Sequence, residues 1–315
     1  MPGMVKSDKP DLSVHVGPLA LKNPILTASG TFGYGLEFEP FLRLDELAGF
    51  VTKGLSPLPR EGNPPPRIVE TPAGMLNTIG LQNIGIDAFI RDKLPRLREY
   101  DTAVIANVFG ETEAEYVEVC QKLDQTDGVA AIELNVSCPN TEQGGMIFGN
   151  DATALSAITH ASRKATRLPL IVKLSPNVTD IRVTARAAVE GGADILSLVN
   201  TFVGMQIDVQ RRRPVLKKVC GGLSGPAIRP LAVWMTWQVH EAVDVPLIGM
   251  GGISSAADAL EFILAGATAV QIGTANFVHP DGSIRVLREL QRWLADHDVA
   301  TVRELVGAGH PKAPA

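Results

Sequence analysis

Cysteine is scarce in this chain. Cys120, Cys138 and Cys220 are the only three in 315 residues, and no two share a Cys-x-x-Cys spacing. That excludes a disulfide framework and a tetrahedral zinc site, and it leaves too few thiolates for an iron–sulfur cluster held by this chain alone. The six histidines are dispersed, with no HxxxH or HxH pair, so no metal site is expected. Long apolar runs are missing too: none approaches the roughly 20 residues of a membrane helix. Nor is there a surplus of positive charge. With 29 basic and 34 acidic residues the net charge is −5, which speaks against a polyanion-binding protein. The opening MPGMVKSDKPD is polar and lacks the apolar middle of a secretory signal, so a cytoplasmic protein is expected.

What is present is a globular composition, 45% hydrophobic and 20% charged, and a regular alternation. Eight short apolar runs recur along the chain: Asn23–Ser29, Gly49–Gly54, Ala103–Val108, Ala130–Val136, Leu170–Leu174, Asp194–Asn200, Val245–Met250 and Ala269–Gly273. Continuous apolar character is what a parallel strand buried on both faces requires. Helical stretches separate most of them. In Thr112–Leu123 a Thr112/Glu115 capping box precedes Tyr116, Val119, Cys120 and Leu123 on one face. In Ser255–Gly266, Ser255 and Asp258 open a helix, Leu260, Ile263 and Leu264 face inward, and Gly266 stops it.

This pattern predicts an α/β protein, a single (β/α)8 barrel over residues 1–315 with flexible tails at 1–11 and 307–315; an open doubly wound sheet is the alternative. Leu12–Leu21 reads as an N-terminal β-hairpin turning at Gly17-Pro18 and plugging the barrel from below. Two long insertions, Leu55–Leu81 after the second strand and Thr201–Ser224 after the sixth, hang from strand C-terminal ends, where barrel enzymes build their sites. The second, with Arg211–Arg213 and Lys217-Lys218, has the charge of a solvated loop.

Each strand end carries a small or polar residue: Ser29, Lys53, Asn107, Asn135 with Cys138, Lys173, Asn200 with Thr201, Gly251-Gly252, and Gly273-Thr274. Together they point into one mouth. The glycines after strands seven and eight fit a phosphate site of backbone N–H groups, or else two tight turns with no ligand. Lys53 and Lys173 sit in apolar surroundings, and neither strand supplies a neighbouring carboxylate, so an anionic ligand is the expected partner; the alternative is a lysine stem lying along apolar surface with its head in water. Cys138 stands at the mouth among asparagines and lysines, before Pro139. Nearby cations lower a thiol below its ordinary value of about 8.5, which suits a general base. Cys120, on a buried helix face, reads as an inert core residue. The loop Pro139–Asn150, with Gly144-Gly145, has the glycines of a mobile lid.

NVSCPN (Asn135–Asn140), ETPAGMLNTIGLQN (Glu70–Asn83) and GLSGPAI (Gly222–Ile228) together resemble the dihydroorotate dehydrogenases, FMN enzymes of pyrimidine biosynthesis built on a (β/α)8 barrel. The resemblance runs from about Leu12 to Asn276. A cysteine base is similar to the soluble class 1 enzymes, and GNPPPRIVETPAGMLN with CPNTEQGGMIFG looks like the 1B type. That type pairs two FMN barrels with two partner subunits carrying FAD and a 2Fe–2S cluster, as a heterotetramer that reduces NAD.

Carried over to this chain, the resemblance implies FMN held by Ser29, Lys53, Gly54, Asn107, Asn135, Lys173, Val199, Gly225, Gly251, Gly252, Gly273 and Thr274. It implies substrate met by Lys53, Asn77, Thr78, Ile79, Gly80, Leu81, Asn135, Asn200 and Thr201. Cys138 would take the C5 proton of (S)-dihydroorotate and FMN N5 the C6 hydride. Competing readings are a homodimeric class 1A enzyme that uses fumarate, a related barrel reducing uracil-type bases, and a non-redox phosphate-binding lyase or isomerase.

Overall fold

The computed structural model describes residues 9–136 and 145–311. A hairpin comes first, β1 (Val14–Val16) and β2 (Leu19–Leu21), with buried valines and leucines on one face. Its turn glycine, Gly17, has φ +57°, and a Cβ there would meet Asp194 O and Pro246, so the hairpin lies across the bottom of the barrel.

Seven of the eight expected runs contain a barrel strand, and the eighth, Ala269–Gly273, overlaps one that begins two residues earlier. The barrel strands are β3 (Ile25–Thr27), β4 (Gly49–Val51), β7 (Ala103–Val108), β8 (Ala131–Asn135), β9 (Leu170–Lys173), β10 (Ile195–Leu198), β15 (Leu247–Met250) and β16 (Ala267–Ile272). They close in chain order into one parallel barrel, β16 pairing back to β3. The closed ring excludes the open sheet. Both faces are buried, as the continuous apolar runs require: Val104 to Val108 are all shut from solvent.

Between the strands, the helix Glu113–Asp124 starts at Thr112, whose hydroxyl accepts from Glu115 N–H. The expected capping box is only half formed, because the Glu115 carboxylate accepts from Glu111 N–H instead. Ala256–Leu264 has the full box between Ser255 and Asp258. Of the expected tails, 9–11 and 307–311 are described. There Asp11 pairs with Arg303, and Gly307 N–H donates to Ile263 O.

The insertions depart from expectation. The segment 201–224 is not simply a solvated loop. It contributes β11 (Phe202–Gly204) and β14 (Gly221–Ser224), which join β5 (Ile68–Thr71) and β6 (Gly74–Asn77) of the other insertion in a four-stranded antiparallel sheet, order β11-β14-β6-β5. Glycine permits the close approach: a Cβ on Gly221 would stand 2.5 Å from Asn77 O. Beyond β11 a two-stranded ribbon, β12 (Ile207–Asp208) with β13 (Arg213–Pro214), carries the expected arginines at its tip together with exposed Met205, Ile207 and Val209. The cover sheet, only partly buried, roofs the barrel mouth, whereas the charges of 211–213 stay in water.

Candidate active site

The barrel mouth and the cover sheet enclose a cavity of about 360 Å³, within the usual size of ligand sites. Every residue expected around the cofactor lines it. So does every expected substrate residue except Thr78. Thr78 is wholly buried and its hydroxyl accepts from Asn63 Nδ2, because side chains on β6 and its continuation alternate sides. Cys138 and residues 139–144 of the expected lid lie outside the described residues; Gly145–Asn150 is helical.

Beneath the cavity lies a residue not singled out from sequence. Glu133, on β8, is fully buried. Its Oε1 accepts from Asn107 Nδ2 at 2.8 Å, and its Oε2 accepts from Ser197 Oγ at 2.9 Å and Gln271 Nε2 at 2.8 Å. Lys173 Nζ lies 3.9 Å from Oε1 and donates to Ser29 Oγ. The expectation that Lys173 has no neighbouring carboxylate is therefore wrong. Strand parity explains it: Glu133 and Asn135 are two apart and share the inner face of β8, and β9 with Lys173 is the next strand round. The signal was present, a charged residue inside an apolar run, AAIELNV.

Lys53 differs. Its pKa is lowered, first by burial and then by the charge of Arg67, with no carboxylate contribution among the described residues. Arg67 also lines the cavity and was not anticipated. Asparagines supply the neutral polar wall. Asn200 Nδ2 donates to Asn135 Oδ1 at 3.3 Å, and Asn77 Nδ2 donates to Gly222 O at 3.3 Å, joining β6 to β14 within the cover sheet. Cys120 is fully buried and burial pushes its thiol up to about 12, so it is inert as expected.

Among the described residues, four buried side-chain oxygens lack a partner, and two of them, Asn107 Oδ1 and Gln271 Oε1, belong to cavity-lining residues. Such atoms are costly unless a ligand meets them. An N–H of a flavin pyrimidine ring has the matching chemistry. At the other end, Gly251 and Gly252 take φ of +134° and +77°, a conformation that keeps a β-carbon out of the turn after β15. The residues present thus fit FMN, with acceptors and a cation at the ring end and a glycine turn at the phosphate end.

A model of the family described as "Dihydroorotate dehydrogenase" matches residues 11–294. The chain belongs to the dihydroorotate dehydrogenase family. Within that family, a protein of Pelobacter propionicus is 57% identical over 300 residues, 95% of this chain and 99% of its own length. Relatives from Trichlorobacter lovleyi, 58% identical over 95% of this chain and 99% of their own length, and Geobacter metallireducens, 54% over 95% and 98%, are similar at the same span. All three are named dihydroorotate dehydrogenase B (NAD(+)), catalytic subunit. Among the described residues, no helix is long and apolar enough to cross a membrane.

Proposed function

We propose that this chain oxidises (S)-dihydroorotate to orotate in pyrimidine biosynthesis, as the FMN-bearing catalytic subunit of an NAD-dependent enzyme. Electrons pass to a partner subunit with FAD and a 2Fe–2S cluster, in a heterotetramer built on two barrels. One observation carries the substrate side of this reading: a desolvated Lys53 beside Arg67, without a carboxylate contribution, in a cavity whose wall also holds the side-chain amides of Asn77, Asn135 and Asn200. That combination receives one anionic group and a ring of amides, which is the chemistry of dihydroorotate. The names of the relatives point the same way and favour the NAD-dependent type over the fumarate-dependent one.

Lys53 binds the substrate carboxylate. Asn77, Asn135 and Asn200 orient the ring amides without adding charge. The cover sheet excludes water from the cavity. Cys138 takes the proton from C5. Ser29, Asn107 and Lys173 hold the flavin ring end, and Gly225, Gly251, Gly252, Gly273 and Thr274 the phosphate end. FMN, when bound, supplies the acceptor for the hydride that leaves C6.

Purified chain with bound flavin should bleach on anaerobic mixing with dihydroorotate. A protein that binds no flavin, or whose flavin is indifferent to dihydroorotate, sinks the proposal. Fast turnover of the isolated chain with fumarate assigns it to the fumarate-dependent type instead.

A further inference from the structure

The floor of the cavity is organised by a group that does not line it. Glu133 is absent from the cavity wall, yet one carboxylate gathers Asn107 from β7, Ser197 from β10 and Gln271 from β16, with Lys173 from β9 within 3.9 Å. Four strands besides its own therefore meet at Glu133.

The bonding pattern has a directional consequence. A carboxylate only accepts, so it claims the NH2 ends of the Asn107 and Gln271 amides. The oxygens of both amides are then the ends left over, and these are the two unpartnered buried acceptors of cavity-lining residues. Without Glu133 either amide is free to turn round and present NH2 to a ligand instead. The same carboxylate partly neutralises Lys173, so it also sets how much positive charge the floor offers.

We infer that Glu133 is a positioning residue for the flavin: it fixes the Asn107 and Gln271 oxygens as acceptors and tempers the charge of Lys173 at the cavity floor. This inference rests on the flavin reading of the cavity. Ser197 belongs to the same device, since its hydroxyl holds Oε2 and it does not line the cavity.

The test uses full-length protein stripped of flavin and reconstituted with FMN, comparing wild type with Glu133→Gln and Ser197→Ala. The glutamine is close in shape but brings an NH2 where an oxygen stood, so one amide must turn. Expected for Glu133→Gln is FMN binding weakened about tenfold, the scale of one lost buried hydrogen bond. The flavin midpoint potential should also move to more positive values, because Lys173, no longer partly neutralised, would favour a flavin that gains negative charge on reduction. Ser197→Ala should weaken FMN binding about threefold, with the potential moving in the same sense. A purely structural glutamate lowers the melting temperature of both variants but leaves FMN affinity and potential at wild-type values, and that result overturns the inference. If Glu133→Gln does not fold, Ser197→Ala decides alone, unchanged FMN affinity and potential counting against it. Wild-type protein that takes up no FMN sinks the flavin reading itself; wild-type binding matched by both variants sinks only the role of Glu133.

Discussion

Lys173 Nζ and Glu133 Oε1 stand 3.9 Å apart on neighbouring barrel strands, their side chains 6% and 0% exposed. Glu133 has no water to fall back on, and Lys173 meets only the cavity. Removing one member of a buried pair leaves the other uncompensated, and that costs more than the pair itself contributes.

Lys173→Met should therefore lower stability, on the order of 3 kcal/mol by denaturant titration, and weaken FMN binding in the folded protein. Unchanged flavin content together with unchanged stability would show that Lys173 is an ordinary strand-end lysine.

Cys138→Ala should keep the flavin and nearly abolish reduction of that flavin by dihydroorotate at neutral pH. Cys138→Ser should be slow at neutral pH and recover as pH rises, since a hydroxyl is a far weaker acid than a thiol. Stopped-flow reduction at several pH values checks both. Near-wild-type reduction by the alanine variant removes Cys138 from the role of base.

Lys53 carries the pH dependence. Burial, then Arg67, holds its pKa below the ordinary lysine value, so the ammonium is lost at a lower pH than usual as pH rises. Binding of an anionic substrate depends on the protonated form. The expected result is that kcat/KM for dihydroorotate falls on the alkaline side at a pH below about 10.4, and that Lys53→Gln raises KM and abolishes this limb. A profile that stays flat through that range counts against an anion contact at Lys53.

Gly221→Ala places a methyl 2.5 Å from Asn77 O and 2.7 Å from Leu216 Cδ1. It should push β14 from β6 and loosen the substrate wall while the barrel stays folded. A rise of about tenfold in KM, with FMN content retained, is the expected steady-state result, on the scale of one overpacked contact.

The barrel strands were legible because each is a run of consecutive apolar residues, and a strand buried on both faces leaves that mark wherever it falls. The mouth was legible for a related reason: polar residues such as Asn107 and Lys173 end those runs in phase. The cover sheet left no such mark. GMLN and GGLS are short, and what makes them strands is their pairing across a long stretch of chain, which no local window contains. Glu133 is hidden from a strand-by-strand reading for a different reason. The strand of Lys173 carries no carboxylate of its own, whereas a barrel places the nearest inward-facing charge on the strand beside it.

Asn77 and Gly222, on adjacent strands of the cover sheet, are separated by 145 positions along the chain. During synthesis the first strand emerges long before the second exists to pair with it. A nascent chain stopped short of β14 has no complete receptor, so neither substrate nor product can act as a folding template until most of the protein has left the ribosome.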